Sequence, residues 1–343
     1  TIKSLGNKGK VSGTIDGIAF HYVELPAHQD FEISVKANVK SFTNNSQVSF
    51  GLMVRDAIGE NGVTNSGTDS PASSKMLGVG GLEAVVESFA RKAQGEDYRN
   101  NARHIFSDQL PKANDTYDLT IRKSGDYYEF TVDGKSYVDK YENLFEDKMY
   151  VGIYAARAAE VEYSDLSVEL IDSIGSLTIE SLPKQEYFLN QPLDLSGLVV
   201  NAGGQVVSND EIMVYGFDST KLGTQTITLA YAGAETSFDI NVSQLTCTAL
   251  ETIVTPAKTT YYLGDTFDPS GLRVRAAFNT GEVRELAAEE YELSVPDMNQ
   301  SGKQTVTITY KDNDSAVAGP DSSTSFEIEV LADILTEIGR AHV

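Results

Sequence analysis

The sequence predicts an all-β chain of three β-sandwiches in a row. Two observations predict it. Short stretches rich in Val, Ile, Tyr, Phe and Thr alternate apolar and polar residues along the whole chain, with turn residues between them and no long helical period. In the second half, one set of strands occurs twice in the same order.

In the first half, Phe31–Val39 (FEISVKANV), Tyr117–Arg122 (YDLTIR) and Tyr128–Val132 (YEFTV) read as strands. Ser124–Gly125–Asp126 turns the chain before the last of these, and Asp133–Gly134 after it is a hairpin signal. Three strands end in arginine: QVSFGLMVRD (47–56) at Arg55, VESFARK (86–92) at Arg91, and YVGIYAARAAE (150–160) at Arg157. Residues 59–74 (GENGVTNSGTDSPASS) are a polar loop longer than a connection needs, either ligand-facing or a mobile insertion.

In the second half, EYFLNQPLDLSGLVVNA (186–202) matches TYYLGDTFDPSGLRVRA (260–276) at an offset of 74. GTQTITLAY (223–231) matches GKQTVTITY (302–310) at 79, and SFDINV (237–242) matches SFEIEV (325–330) at 88. Order is kept while the offset grows, so one β-module is present twice and the second copy carries longer loops, the later one within 311–324. Each copy has the length and turn spacing of a small antiparallel sandwich.

Bulk numbers bound the function. The 343 residues are 41% hydrophobic and 22% charged, enough to bury cores in two or three domains. A net charge of −23 speaks against general nucleic-acid binding, which needs clustered cations. No apolar run is long enough for membrane insertion. Cys247 is the sole cysteine, which leaves no intrachain disulfide and no cysteine-based zinc site. These features fit an extracellular or cell-surface protein, of a Gram-positive bacterium. Thr1 reads as a mature N-terminus or a cloning boundary. Cations concentrate in residues 1–172, with 18 Lys+Arg against 26 Asp+Glu; residues 173–343 have 9 against 24. A polar or acidic ligand is therefore expected on the first half.

The repeat, Y-x-L…D-x-S-G-L-x-V then G-x-Q-T-(I/V)-T and S-F-x-I-x-V, resembles the group 3 bacterial Ig-like domain. That resemblance implies spacer modules, with Tyr187, Leu189, Leu195, Leu198, Val200, Tyr261, Leu263, Leu272 and Val274 in cores and Gly197 and Gly271 in turns. The segments GIAFHYVELP, YDLTIRKSGDYYEFTVDG and MYVGIYAARAAEVEYSDLSVEL resemble the concanavalin-like jelly-roll modules appended to bacterial pectate lyases and other polysaccharide-degrading enzymes. There, VGIYAAR…VEYSDLSV would be the closing strand pair beside the N-terminus. The expected organisation is a concanavalin-like β-sandwich (jelly roll) over 1–172, Ig-like β-sandwiches over 173–244 and 245–332, and a linker or vector-encoded tail over 333–343.

For the site, Ser49, Gly51, Met53 and Arg55 share one strand face, and Gly51 and Gly152 would let a ligand or another backbone approach it. Arg55, Arg91 and Arg157 are expected to converge with Tyr154 and Tyr98, and Arg103 in YRNNARHIF to frame the site from a loop with Arg99 and His104. Guanidinium forks suit carboxylates and paired hydroxyls, and tyrosine rings stack on sugars. The competing reading pairs each arginine with a nearby carboxylate such as Asp56, Glu87 or Glu160. With no tryptophan, a flat indole platform is excluded and a polar, arginine-based site is favoured. No carboxylate pair, histidine spacing or phosphate loop points to catalysis, so no catalytic residue is assigned and the chain is read as not an enzyme. No cofactor is assigned beyond a candidate structural calcium, at Asp312, Asp314 and Asp321 or at Asp16, Asp165 and Asp172.

The expected function is non-catalytic binding of plant cell-wall polysaccharide, pectin favoured, with Ig-like spacers, in a secreted multimodular bacterial polysaccharide-degrading enzyme whose other covalently linked modules lie outside this chain. The alternatives are a surface adhesin fragment binding a host protein or glycan with an Ig-like stalk, and a weak glycoside hydrolase or lyase.

Overall fold

Strands make up nearly all of the regular structure in the computed structural model, which describes residues 1–3, 11, 18–43, 48–56, 58, 75–82, 84–91, 102–311 and 322–332. The chain forms two compact units. One holds residues 1–187, 192–218 and 223–241, and the other 188–191, 219–222 and 242–343. The expected boundary at 172/173 falls inside the first unit.

Among the described residues, twelve strands build the N-terminal sandwich: β1 (Ile2–Lys3), β2 (Ile18–Pro26), β3 (Asp30–Ser41), β4 (Ser49–Arg55), β5 (Met76–Leu82), β6 (Val85–Arg91), β7 (Ala102–Ser107), β8 (Thr116–Ser124), β9 (Tyr127–Val132), β10 (Lys135–Lys140), β11 (Lys148–Ala156) and β12 (Glu160–Ile171). They form two six-stranded sheets, ordered β1-β12-β3-β8-β9-β10 and β2-β11-β4-β5-β6-β7. The period-2 alternation of β3 sends Phe31, Ile33, Val35, Ala37 and Val39 into one core with Phe50, Leu52, Val54, Val151 and Ile153 of the opposite sheet. The Asp133–Gly134 hairpin joins β9 to β10 with both residues at positive φ, 50° and 77°, as a two-residue turn requires.

Two expectations change here. The closing strands β11 and β12 do not pair with each other. β11 lies between β2 and β4 and β12 between β1 and β3, so they close opposite sheets. Arg157, at φ 55°, sits in the turn that redirects the chain from one sheet to the other. The segment expected as a loop around Arg103 is strand β7 over Ala102–Ser107, because its alternating residues find a partner edge in β6.

Both repeats fold alike. The first has β13 (Leu177–Ser181), β14 (Glu186–Phe188), β15 (Val199–Ala202), β16 (Gln205–Val207), β17 (Met213–Tyr215), β18 (Gly223–Tyr231) and β19 (Ala234–Ser243), in sheets β13-β15-β16 and β14-β19-β18-β17. The second has β20 (Cys247–Val254), β21 (Thr260–Tyr262), β22 (Arg273–Phe278), β23 (Val283–Glu285), β24 (Tyr291–Leu293), β25 (Gly302–Tyr310) and β26 (Ser323–Leu331), in sheets β20-β22-β23 and β21-β26-β25-β24.

The repeated motif is a clasp. The Tyr187 hydroxyl donates to the Asp194 carbonyl (3.0 Å) and accepts from its N–H; the Tyr261 hydroxyl likewise accepts the Asp268 N–H, and its one proton is shared between the carbonyls of Lys258 (2.9 Å) and Asp268 (3.1 Å). Asp194 and Asp268 each accept the N–H two residues on, from Ser196 and Ser270. Gly197 and Gly271 turn at φ 85° and 88°. Tyr187, Leu198, Val200, Tyr261 and Val274 are buried as expected, while Leu189, Leu195 and Leu272 are half-buried. Leu263 is 41% exposed, a correction: it follows the three-residue β21, where the alternation has already ended.

Candidate functional site

Of the expected arginines, Arg55 and Arg103 lie on the face of the β2-β11-β4-β5-β6-β7 sheet turned away from the sandwich core. Arg55 lies opposite Met76, Met76 opposite Arg91, and Phe89 opposite Arg103. Two strand spacings, about 10 Å, separate the Arg55 and Arg91 backbones. Arg157 is not among them. It follows Ala156, which pairs with Ser49 at the far end of β4, about 20 Å along the strand from Arg55. The convergence of Arg55, Arg91 and Arg157 is therefore corrected. Tyr98 and Arg99 lie outside the described residues, as do the Arg91 side chain and residues 59–74.

Most of this face is closed. β4 and β5 are buried along their whole lengths, and Met53, Met76, Leu82, Phe89 and Tyr154 pack with Val11 into a second apolar cluster. Tyr154 is fully buried and Arg55 is 3% exposed, so neither can touch a ligand directly. The glycines admit backbone. A Cβ on Gly51 would lie 2.1 Å from the Val79 carbonyl oxygen, and one on Gly152 would lie 2.0 Å from that of His21. Gly51 also needs its φ of 143°, which side-chain-bearing residues avoid.

Ion pairs account for part of the arginine pattern. Arg103 Nε donates to Glu87 Oε2 at 2.6 Å, and burial pushes the Glu87 carboxyl up against that pairing. Glu160 pairs with Lys3 at 2.6 Å. Asp56, beside Arg55 and Lys75, is pushed up by burial in spite of both cations.

The face is open at both edges: at β7, Ile105 is 47% exposed and the Arg103 side chain 39% exposed, and the β2 edge carries the aromatic rings. Tyr22 is 40% exposed. It stacks on Phe20 at 5.2 Å and meets Tyr150 edge-to-face at 5.2 Å, so its ring is braced from two sides. Gly152 faces Tyr22 across the ladder, and its missing Cβ lets the β2 backbone draw close. Lys148 Nζ sits 5.3 Å over the Tyr150 ring and 3.4 Å from both Glu24 carboxylate oxygens. The Tyr150 hydroxyl and the Glu24 charge hold its ammonium firmly protonated. Arg55 lies directly opposite Tyr150, beneath this surface. An exposed ring packed on a second ring that carries a cation and an acceptor carboxylate is equipment for stacking on a sugar and binding its carboxylate and hydroxyls.

The arginine reading passed over Phe20, Tyr22, Glu24 and Lys148. The signal was F-H-Y at 20–22, two aromatics two apart on a strand facing a glycine.

For calcium, Asp16, Asp312, Asp314 and Asp321 lie outside the described residues. Among the described residues no three His, Cys, Asp or Glu side chains are grouped to hold a metal, and no helix is long and apolar enough to cross a membrane.

Comparison with known proteins adds the decisive observation: residues 1–173 match the model of the pectate disaccharide-lyase N-terminal domain. The chain belongs to this family. Residues 181–242 and 254–330 match the group 3 bacterial Ig-like domain.

Among relatives of this pectate disaccharide-lyase N-terminal domain chain, pectate lyase L of Thermoclostridium stercorarium is 35% identical over 96% of the chain. A pectate disaccharide-lyase of Dickeya chrysanthemi is 25% identical over 49%. The chain spans about a quarter of the length of each, 26% in both cases. A solved carbohydrate-binding module from Bacillus subtilis is similar at 18% identity and a TM-score of 0.29, over 45% of this chain and 83% of that one. The expectation that the chain is not an enzyme is corrected. It aligns almost end to end with part of a protein named as a pectate lyase, and its family is the pectate disaccharide-lyase N-terminal domain.

Proposed function

We propose that this chain is the substrate-engaging N-terminal part of a secreted bacterial pectate-degrading lyase, and that its N-terminal sandwich binds the acidic polysaccharide at the β2 edge. One observation carries the reading: the exposed, doubly braced Tyr22 ring against Tyr150, over whose ring Lys148 sits, in a chain of the pectate disaccharide-lyase N-terminal domain family. Tyr22 stacks on a galacturonate ring and Lys148 meets its carboxylate, while Arg55 holds positive charge under Tyr150 without touching the sugar. Cleavage of the chain by elimination belongs to the whole enzyme. The extracellular, Gram-positive setting is part of the same proposal and is supported by the lone cysteine and the acidic composition.

Affinity electrophoresis tests it, with the chain run through gels holding polygalacturonate, neutral galactan or no polymer, beside Tyr22→Ala and Lys148→Ala. Retardation confined to polygalacturonate and lost in both variants is expected. Equal mobility in all gels overturns the reading. Absorbance of unsaturated ends, followed on the same samples, shows whether this part of the enzyme also cleaves.

A further inference from the structure

The first Ig-like domain is built into the sandwich. Tyr127 and Val138 pack with Met213, Ala230 and Tyr215 in one apolar cluster, with the Tyr127 and Tyr215 rings edge-to-face at 5.7 Å. Arg122, already bound to Glu129, donates from Nη1 to the Glu211 carbonyl at 2.7 Å. The Gly233 N–H donates to Ser124 Oγ at 3.0 Å. Gly233 has φ 77°, and a Cβ there would lie 2.9 Å from both Asp30 Oδ2 and Ser173 Oγ. Tyr215 is therefore held in a fixed place beside the sandwich.

Next to it is an open groove of about 500 Å³, lined by Lys75, Lys140, Tyr141, Glu142 and Asn143 of the sandwich and by Tyr215. That volume suits one or two sugar rings. The groove lies at the same end of the sandwich as the candidate site, since Lys75 directly precedes Met76, the partner of Arg55. Lys140 pairs with Glu142 at 3.0 Å and Lys75 with Glu146 at 3.4 Å. Both carboxylates are mostly exposed, 68% and 82%, so these pairs are weak and a ligand carboxylate can replace them.

We propose that this groove is a second subsite for an acidic saccharide, with Tyr215 of the first Ig-like domain as its stacking wall and Lys75 and Lys140 as its carboxylate ligands. The proposal rests on the polygalacturonate-binding reading above, and it makes the first Ig-like domain part of the binding surface, where the sequence suggested a spacer.

The test titrates an oligogalacturonate into the full chain, Tyr22→Ala and three groove variants at low and high salt. Tyr215→Ala and Lys75→Ala/Lys140→Ala are expected to bind about tenfold more weakly. Glu142→Gln/Glu146→Gln removes the competing carboxylates without touching the junction. It is expected to bind a few-fold more tightly at low salt, with the gain fading at high salt. Unchanged affinity in the Glu142/Glu146 variant, with Tyr22→Ala still weakened, overturns the second subsite and leaves the first reading standing. No binding by the unmutated chain overturns both.

Discussion

Tyr163 shows how single residues make this sandwich work. From β12 its side chain crosses to the other sheet, where its hydroxyl accepts the Gly51 N–H at 2.9 Å and donates to the Tyr154 carbonyl at 2.6 Å. Gly51 and Tyr154 face each other across the β4–β11 ladder, so the hydroxyl stands in for backbone pairing at that point. Burial pushes its pKa well up, which keeps it a donor. Tyr163→Phe keeps the ring and strands two backbone groups, so a loss of about 1–3 kcal/mol is expected in urea unfolding; an unchanged midpoint would contradict this. Asp56 gives a pH signature. Burial raises its pKa above the ordinary 3.8, so the folded chain keeps this proton to higher pH than the unfolded chain does. The group's contribution favours the folded state at acid pH and is lost as pH rises from 3.8 through the folded value. Asp56→Asn should therefore lose less stability than the unmutated chain across that interval, and parallel profiles would contradict the assignment. At this scale, strand alternation in the sequence put Arg55, Gly51 and Met53 on one face. Burial of that face was not legible, because Val11 and the second cluster reach it from distant parts of the chain.

At the scale of elements, what the sequence states twice is what reads most clearly. The Y…D-x-S-G-L motif became the same tyrosine clasp in both Ig-like domains. Tyr187→Phe and Tyr261→Phe are each expected to cost about 1–2 kcal/mol, because the clasped backbone groups of Asp194 and Asp268 lose their partner. Hydrogen exchange at those amides checks it, and unaltered protection would count against the clasp. Elements that depend on distant partners read less well. Residues 102–107 look like surface turn until β6 supplies an edge, and the closing pair β11 and β12 returns beside the N-terminal strands as read, but in opposite sheets. The Tyr22 strand was visible as a strand but not as a site, because its meaning comes from Gly152 and Tyr150 of β11.

At the scale of the whole molecule, the net charge of −23 sets a repulsive background for any acidic polymer, so binding must come from local cations and rings. The structure concentrates Lys148, Arg55, Lys75 and Lys140 toward one end of the sandwich, the end to which the first Ig-like domain is joined. Gly233→Ala places a methyl against Asp30 and Ser173 at that joint. Faster hydrogen exchange in both β8 and β18 of the variant is expected, and a change confined to β18 would show the joint to be a passive contact. The central claim is that Tyr22 carries polygalacturonate binding. Isothermal titration of an oligogalacturonate into the full chain and Tyr22→Ala tests it most directly. Saturable binding that falls at least about tenfold in the variant, a loss near 1.4 kcal/mol, is the predicted result. Equal affinity in the two proteins would contradict it.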